Sequence, residues 1–147
     1  MEAKSGIRVT FSPEETKTVA AELALLIKTP LVLMRGNLGS GKTVFATGFA
    51  EGLGIKAFVS SPSYTIMNEY RDNEKTMYHL DLYRIDSLEE VVDIGLYDII
   101  KQNIPCVVEW SEKLKELETL PHLSVTIDSC PDSKENCRII SWKAKEA

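Results

Sequence analysis

Gly36-Asn37-Leu38-Gly39-Ser40-Gly41-Lys42-Thr43 is the stretch on which the fold of this chain turns. It matches G-x-x-x-x-G-K-[ST], a pattern whose four constrained positions arise by accident in roughly one chain of this length in a few hundred. The motif needs a strand before it and a helix after it. Leu31-Val32-Leu33-Met34 is a short, wholly apolar run suited to a strand buried on both faces, and a helix is expected from Lys42 to about Leu53, ended by Gly52 and Gly54. Glycines allow backbone N–H groups to close around phosphate oxygens, while the helix turns its positive end toward the same anion. Lys42 would then reach the β- and γ-phosphates of a nucleotide, and the Thr43 hydroxyl would ligate Mg²⁺. The competing reading is a glycine-rich strand-to-helix turn with an exposed lysine.

Working outward, Ile7–Phe11 alternates as a strand does. Ser12-Pro13-Glu14-Glu15 joins an N-cap serine, a proline at the first helical position and a capping-box glutamate. Val19, Leu23, Leu26 and Ile27 form an apolar stripe at helical spacing before Pro30. Beyond the motif, Ala57-Phe58-Val59 starts another strand, and 65–70 and 75–83 flank the polar turn Arg71–Glu74. Ser87-Leu88-Glu89-Glu90 is a second capping-box pattern, opening a helix that ends at Gly95. Ile104–Trp110 reads as a strand after a short helical piece, and 123–128 and 138–142 as a closing hairpin around Pro131–Asn136. Strands interleaved with helices, plus two hairpins, predict an α/β, three-layer P-loop NTPase fold with a mixed, partly antiparallel central sheet.

All 147 residues fit one domain, with no repeat or low-complexity linker to divide them. A composition of 44% hydrophobic and 27% charged residues is that of a globular protein. The net charge of -5 excludes a bulk cationic field for nucleic acid, so any contact with RNA is expected to be local or borrowed from a partner. The three cysteines, Cys106, Cys130 and Cys137, show no C-x-x-C spacing and cannot all pair, so reduced thiols in a cytoplasmic protein are expected. Met1–Gly6 lacks the apolar stretch of an export signal and no apolar run nears the roughly 20 residues that span a bilayer, so neither export nor a membrane span is expected.

Two carboxylates complete the expected site. In Met77-Tyr78-His79-Leu80-Asp81-Leu82-Tyr83-Arg84, alternation turns Asp81 to the side of His79 and Tyr83 and packs Leu80 and Leu82 away. Facing Mg²⁺ or its waters would offset the cost of burying Asp81. Glu109 ends the apolar run from Ile104, at the carboxyl end of a strand where α/β sheets collect their functional groups, and could bind the metal or orient water. His79 and Trp110 read as packing residues. Ser60-Ser61-Pro62-Ser63-Tyr64-Thr65 lies where nucleotide hydrolases carry a switch loop, although alone it is a Ser/Pro turn.

The ordered set G-N-L-G-S-G-K-T, S-S-P-S-Y-T, H-L-D-L-Y-R and V-V-E-W closely resembles the bacterial TsaE (older name YjeE) family, from about Ile7 to Trp142. The resemblance implies an ATPase required for forming threonylcarbamoyladenosine at adenosine 37 of tRNA, working with TsaD and its companion TsaB through a switch and reset cycle. It implies ATP and Mg²⁺ as cofactors, a nucleotide loop of Gly36, Asn37, Leu38, Gly39, Ser40, Gly41, Lys42 and Thr43, and a Walker-B-like Asp81. Thr43 and Glu109 would serve the metal, and Lys42, Asp81 and Glu109 the hydrolysis. Asn37, Ser40, Val44 and Ser63 depart from residues common in that family, and only Val44 loses a hydroxyl. Without an evident arginine finger, Arg84 aside, slow hydrolysis by the isolated chain is expected. Thr16 and Arg138 are weak candidates for holding the base. A small-molecule kinase and a non-hydrolysing nucleotide-gated module are the alternatives.

Overall fold

The computed structural model describes residues 4–36, 41–56, 59, 62, 66–131 and 135–146. A seven-stranded sheet runs through it in the order β1-β7-β6-β2-β5-β4-β3. The strands are β1 (Ser5–Thr10), β2 (Leu31–Arg35), β3 (Met67–Asp72), β4 (Lys75–Asp81), β5 (Cys106–Glu109), β6 (His122–Ser129) and β7 (Arg138–Lys145). The four central strands, β6, β2, β5 and β4, are parallel, whereas β1, β7 and β3 join antiparallel. The mixed sheet expected from two hairpins and an alternating middle is therefore present.

Helices cover both faces. On one, α1 (Pro13–Leu26) and α2 (Lys42–Gly52) pack over Val32, Met34, Val107, Val125 and Ile140. α1 begins as its sequence demands: Ser12 caps the Glu15 amide at 3.1 Å, and the Glu15 carboxylate accepts from the Phe11 amide, also at 3.1 Å. The two helices approach so closely that a Cβ on Gly48 would collide with the Lys17 backbone and one on Gly52 with Ala21. On the other face, α3 (Leu88–Asp93), α4 (Leu96–Lys101) and the 3-10 turns Ser111–Lys113 and Lys115–Thr119 enclose Leu31, Leu33, Leu80 and Val108. Three layers result, with β2 and β5 buried between them.

Several expectations are corrected. Cys130 and Cys137 are joined as a disulfide (Cα–Cα 5.5 Å), so the reading of all three thiols as reduced fails. The cysteines close the loop end of the β6–β7 hairpin, where the Cys130 amide donates to the Cys137 carbonyl at 3.2 Å. Cys106 is free and buried, and burial pushes its thiol pKa far up. Ser87 occupies the N-cap of α3 without a side-chain capping bond, and the helix expected to reach Gly95 stops at Asp93. β4 ends at Asp81, leaving Tyr83 exposed, and Leu26 of the expected α1 stripe is 40% exposed. Val59 is buried but lies in no strand, while Ala57 and Phe58 fall outside the described residues.

Candidate functional site

Three parallel strands deliver the site from their carboxyl ends. Within the sheet Met34 of β2 is paired with Glu109 of β5, and Glu109 with Asp81 of β4. Beyond β2 the chain passes Gly36, and α2 opens at Lys42 after Gly41, whose φ of +103° is a left-handed conformation that side chains resist. α1 and α3 each carry two glutamates in their first turn and α2 carries none, which leaves its positive N-terminal end unneutralised by its own side chains. Thr43, half-buried, is the second residue of α2.

Lys42 is 5% exposed and folds back toward the strand ends. Its Nζ donates to the Gly36 carbonyl at 2.7 Å and lies 3.9 Å from the centre of the Trp110 ring. Burial lowers the Lys42 pKa, and the negative charges of Glu109, Glu112 and Asp81 oppose that shift. Trp110 follows Glu109 directly, at a φ of +58° that is rare for a bulky side chain, and its ring is tilted on Tyr83 with centroids 5.0 Å apart. Trp110, expected to be packing alone, thus covers the lysine.

Asp81 and Glu109 are 4% and 3% exposed, and both are held. Asp81 Oδ1 accepts from the Tyr83 amide at 2.8 Å, and the Asp81 amide donates to Ile66 O at 2.9 Å. Glu109 Oε2 meets Nε2 of His79, which is wholly buried. The alternation rule correctly turned His79 and Asp81 to one side, toward α2, with Leu80 in the opposite core. It failed to show that His79 is a partner of Glu109, since those residues lie on neighbouring strands and only the register brings them together.

Across β2 from these carboxylates, Thr16 and Arg138 line one small pocket of about 40 Å³ with Pro13, Gly41, Val44 and Asn136. Thr16 is buried with its hydroxyl 2.7 Å from that of Thr10, and Arg138 donates to the Cys137 carbonyl at 2.9 Å. A larger cavity of about 500 Å³ opens at the other end of the sheet, beside Ile27, Thr29 and Pro121, away from every group above. Asn37, Leu38, Gly39 and Ser40, and Ser60, Ser61, Ser63, Tyr64 and Thr65, lie outside the described residues. No helix among the described residues is long and apolar enough to cross a membrane.

A buried strand leading through Gly36 and Gly41 to a helix that begins with Lys42, beside acids on the two next parallel strands, defines the class: this is a P-loop NTPase fold. The family model described as "Threonylcarbamoyl adenosine biosynthesis protein TsaE" matches residues 10–139, and the chain belongs to that family. Two relatives carry the name tRNA threonylcarbamoyladenosine biosynthesis protein TsaE. That of Bacillus subtilis is 40% identical over 126 residues, 85% of this chain and 78% of the relative. That of Rickettsia conorii is 36% identical over 132 residues, 88% and 75% of the two chains. The crystal structure of YdiB from Bacillus subtilis superposes with a TM-score of 0.77 at 33% identity, covering 98% of this chain and 88% of the other.

Proposed function

We propose that this chain is a Mg²⁺-dependent ATPase of tRNA threonylcarbamoyladenosine formation, acting in the cytoplasm with TsaD and TsaB and meeting tRNA through that complex. The observation that carries the reading is the convergence of Lys42, Asp81 and Glu109, all buried, at the carboxyl ends of adjacent parallel strands. Lys42 would leave the Gly36 carbonyl for phosphate oxygens, so the α2 amides and the ammonium would hold the triphosphate together. Trp110 would keep water away from that charge.

The donor set suits magnesium. The Thr43 hydroxyl and the Asp81 and Glu109 carboxylates are hard oxygen donors, and Mg²⁺ is usually bound through one or two carboxylates together with substrate phosphates and water. Thr43 and Glu109 would hold it, with Asp81 beside them, and the ion would supply charge neutralisation on the β- and γ-phosphates. Asp81 and Glu109 would orient the attacking water; phosphoryl transfer needs positioning and charge more than a strong base. The pocket of Thr16 and Arg138, across β2 from the acids, would border the nucleotide on its other side.

Reconstitution tests the reading. The chain, a TsaB–TsaD pair and tRNA should carry out repeated rounds of modification only with ATP, Mg²⁺ and an intact Lys42. Full modification by Lys42→Ala would sink the ATPase reading; label passing from ATP to a metabolite instead of to free phosphate would favour a kinase.

A further inference from the structure

A wholly buried histidine between Glu109 and a tyrosine is more than filler. His79 lies in β4 two residues before Asp81, with Nε2 against Glu109 Oε2 and Nδ1 3.3 Å from the Tyr70 hydroxyl. That hydroxyl also accepts from Nδ2 of Asn68, 3.2 Å away. An ionised carboxylate can only accept, so Nε2 must carry the proton toward Glu109. In that tautomer Nδ1 is left to accept from the Tyr70 O–H. The contacts then run from Asn68 and Tyr70 on β3 through His79 on β4 to Glu109 on β5.

The surroundings argue against mere packing. His79 is paired in the sheet with Val107, and Met77 and Val107 on the same side belong to the apolar core, so a hydrophobic residue would fit the position without any polar group to satisfy. A buried polar chain is costly unless complete, and this one is complete where it ends on the carboxylate. We propose that His79, oriented by Tyr70, is a positioning residue that tethers one oxygen of Glu109 so that the other is presented to the site beside Lys42. The inference rests on the reading of Glu109 as part of the ATPase machinery. A carboxylate that must hold a metal or a water in one geometry cannot be left to rotate.

The chain supplies its own control. Its two histidines should show opposite tautomers, because Nδ1 of His122 lies 2.7 Å from the Leu120 carbonyl and must be the donor there. Long-range ¹H–¹⁵N spectra of the nucleotide-free chain should show one Nε2–H ring, lost in His79→Gln, and one Nδ1–H ring. In steady-state ATP hydrolysis with TsaB–TsaD, His79→Leu should lower kcat about 10–100-fold with KM for ATP within about twofold. His79→Gln, whose amide reaches the place of Nε2–H, should recover part of that loss, and Tyr70→Phe should lose severalfold while keeping the fold. An Nδ1–H tautomer at His79 overturns the proposal, as does wild-type kcat in His79→Leu or a Gln variant no better than Leu. A wild-type chain with the expected tautomer and no ATP hydrolysis overturns the ATPase reading and leaves the His79–Glu109 link standing.

Discussion

The parallel centre of the sheet and its antiparallel wing use the same residue types to opposite ends. In β2, Leu31 to Met34 are all buried, and β5 is buried throughout, Glu109 included. In β1, at the sheet edge, Ile7 is 66% and Val9 48% exposed, while Thr10 is buried against Thr16. Apolarity identifies both as strands but does not tell which face another layer covers. In the centre, layers on both sides force every polar side chain to find a partner; Asp81, Glu109, His79 and Lys42 all do. On β1 that constraint reaches only Thr10, the other side chains being exposed or half-buried, and the candidate site accordingly lies at the centre.

The sharpest break is Lys42→Ala, which should cost ATP turnover about 10²–10³-fold if the ammonium stabilises transferring charge. The same lysine should weaken the fold. Because burial lowers its folded pKa below the ordinary lysine value of 10.5, the unfolded chain holds the proton over a window just below that value, and stability rises with pH there. Urea unfolding through that window should show the rise in wild type and a smaller one in Lys42→Met; equal slopes would mean that the centre does not penalise the charge.

Leu33→Ala, in the doubly covered strand, should destabilise by about 2–5 kcal/mol through lost burial and a residual cavity, read from the shift in urea midpoint. At the wing, opening the Cys130–Cys137 disulfide by Cys130→Ser should cost about 2–3 kcal/mol under oxidising conditions, the entropy of a short closed loop. With dithiothreitol present, the variant and wild type should unfold alike. Smallest of all, Val9→Thr should change stability by less than about 0.5 kcal/mol. A loss near that of Leu33→Ala would erase the distinction between centre and wing.

Much of this was readable from residue order. The phosphate-loop pattern, the Ser12 cap, and the alternation that turned His79 and Asp81 toward one face all rest on contacts within a few residues, which local spacing encodes. The second capping box misled because Ser87 and Glu90 carry the pattern while the side chain of Ser87 makes no capping bond. The disulfide escaped because seven residues of separation say nothing until β6 and β7 are paired. Trp110 gave only its place after Glu109 as a signal; its contact with Lys42 joins residues far apart in the chain.

Order along the chain was enough to place the G-x-x-x-x-G-K-[ST] pattern between a buried strand and a helix, with two acids downstream, because glycine conformation, capping and side-chain alternation are local properties. Which acid meets which partner depended on strand order. β5 enters between β2 and β4, and that insertion sets Glu109 against His79 and within electrostatic reach of Lys42. Such contacts are made by the burial of many apolar side chains at once, and no single stretch of sequence holds that information.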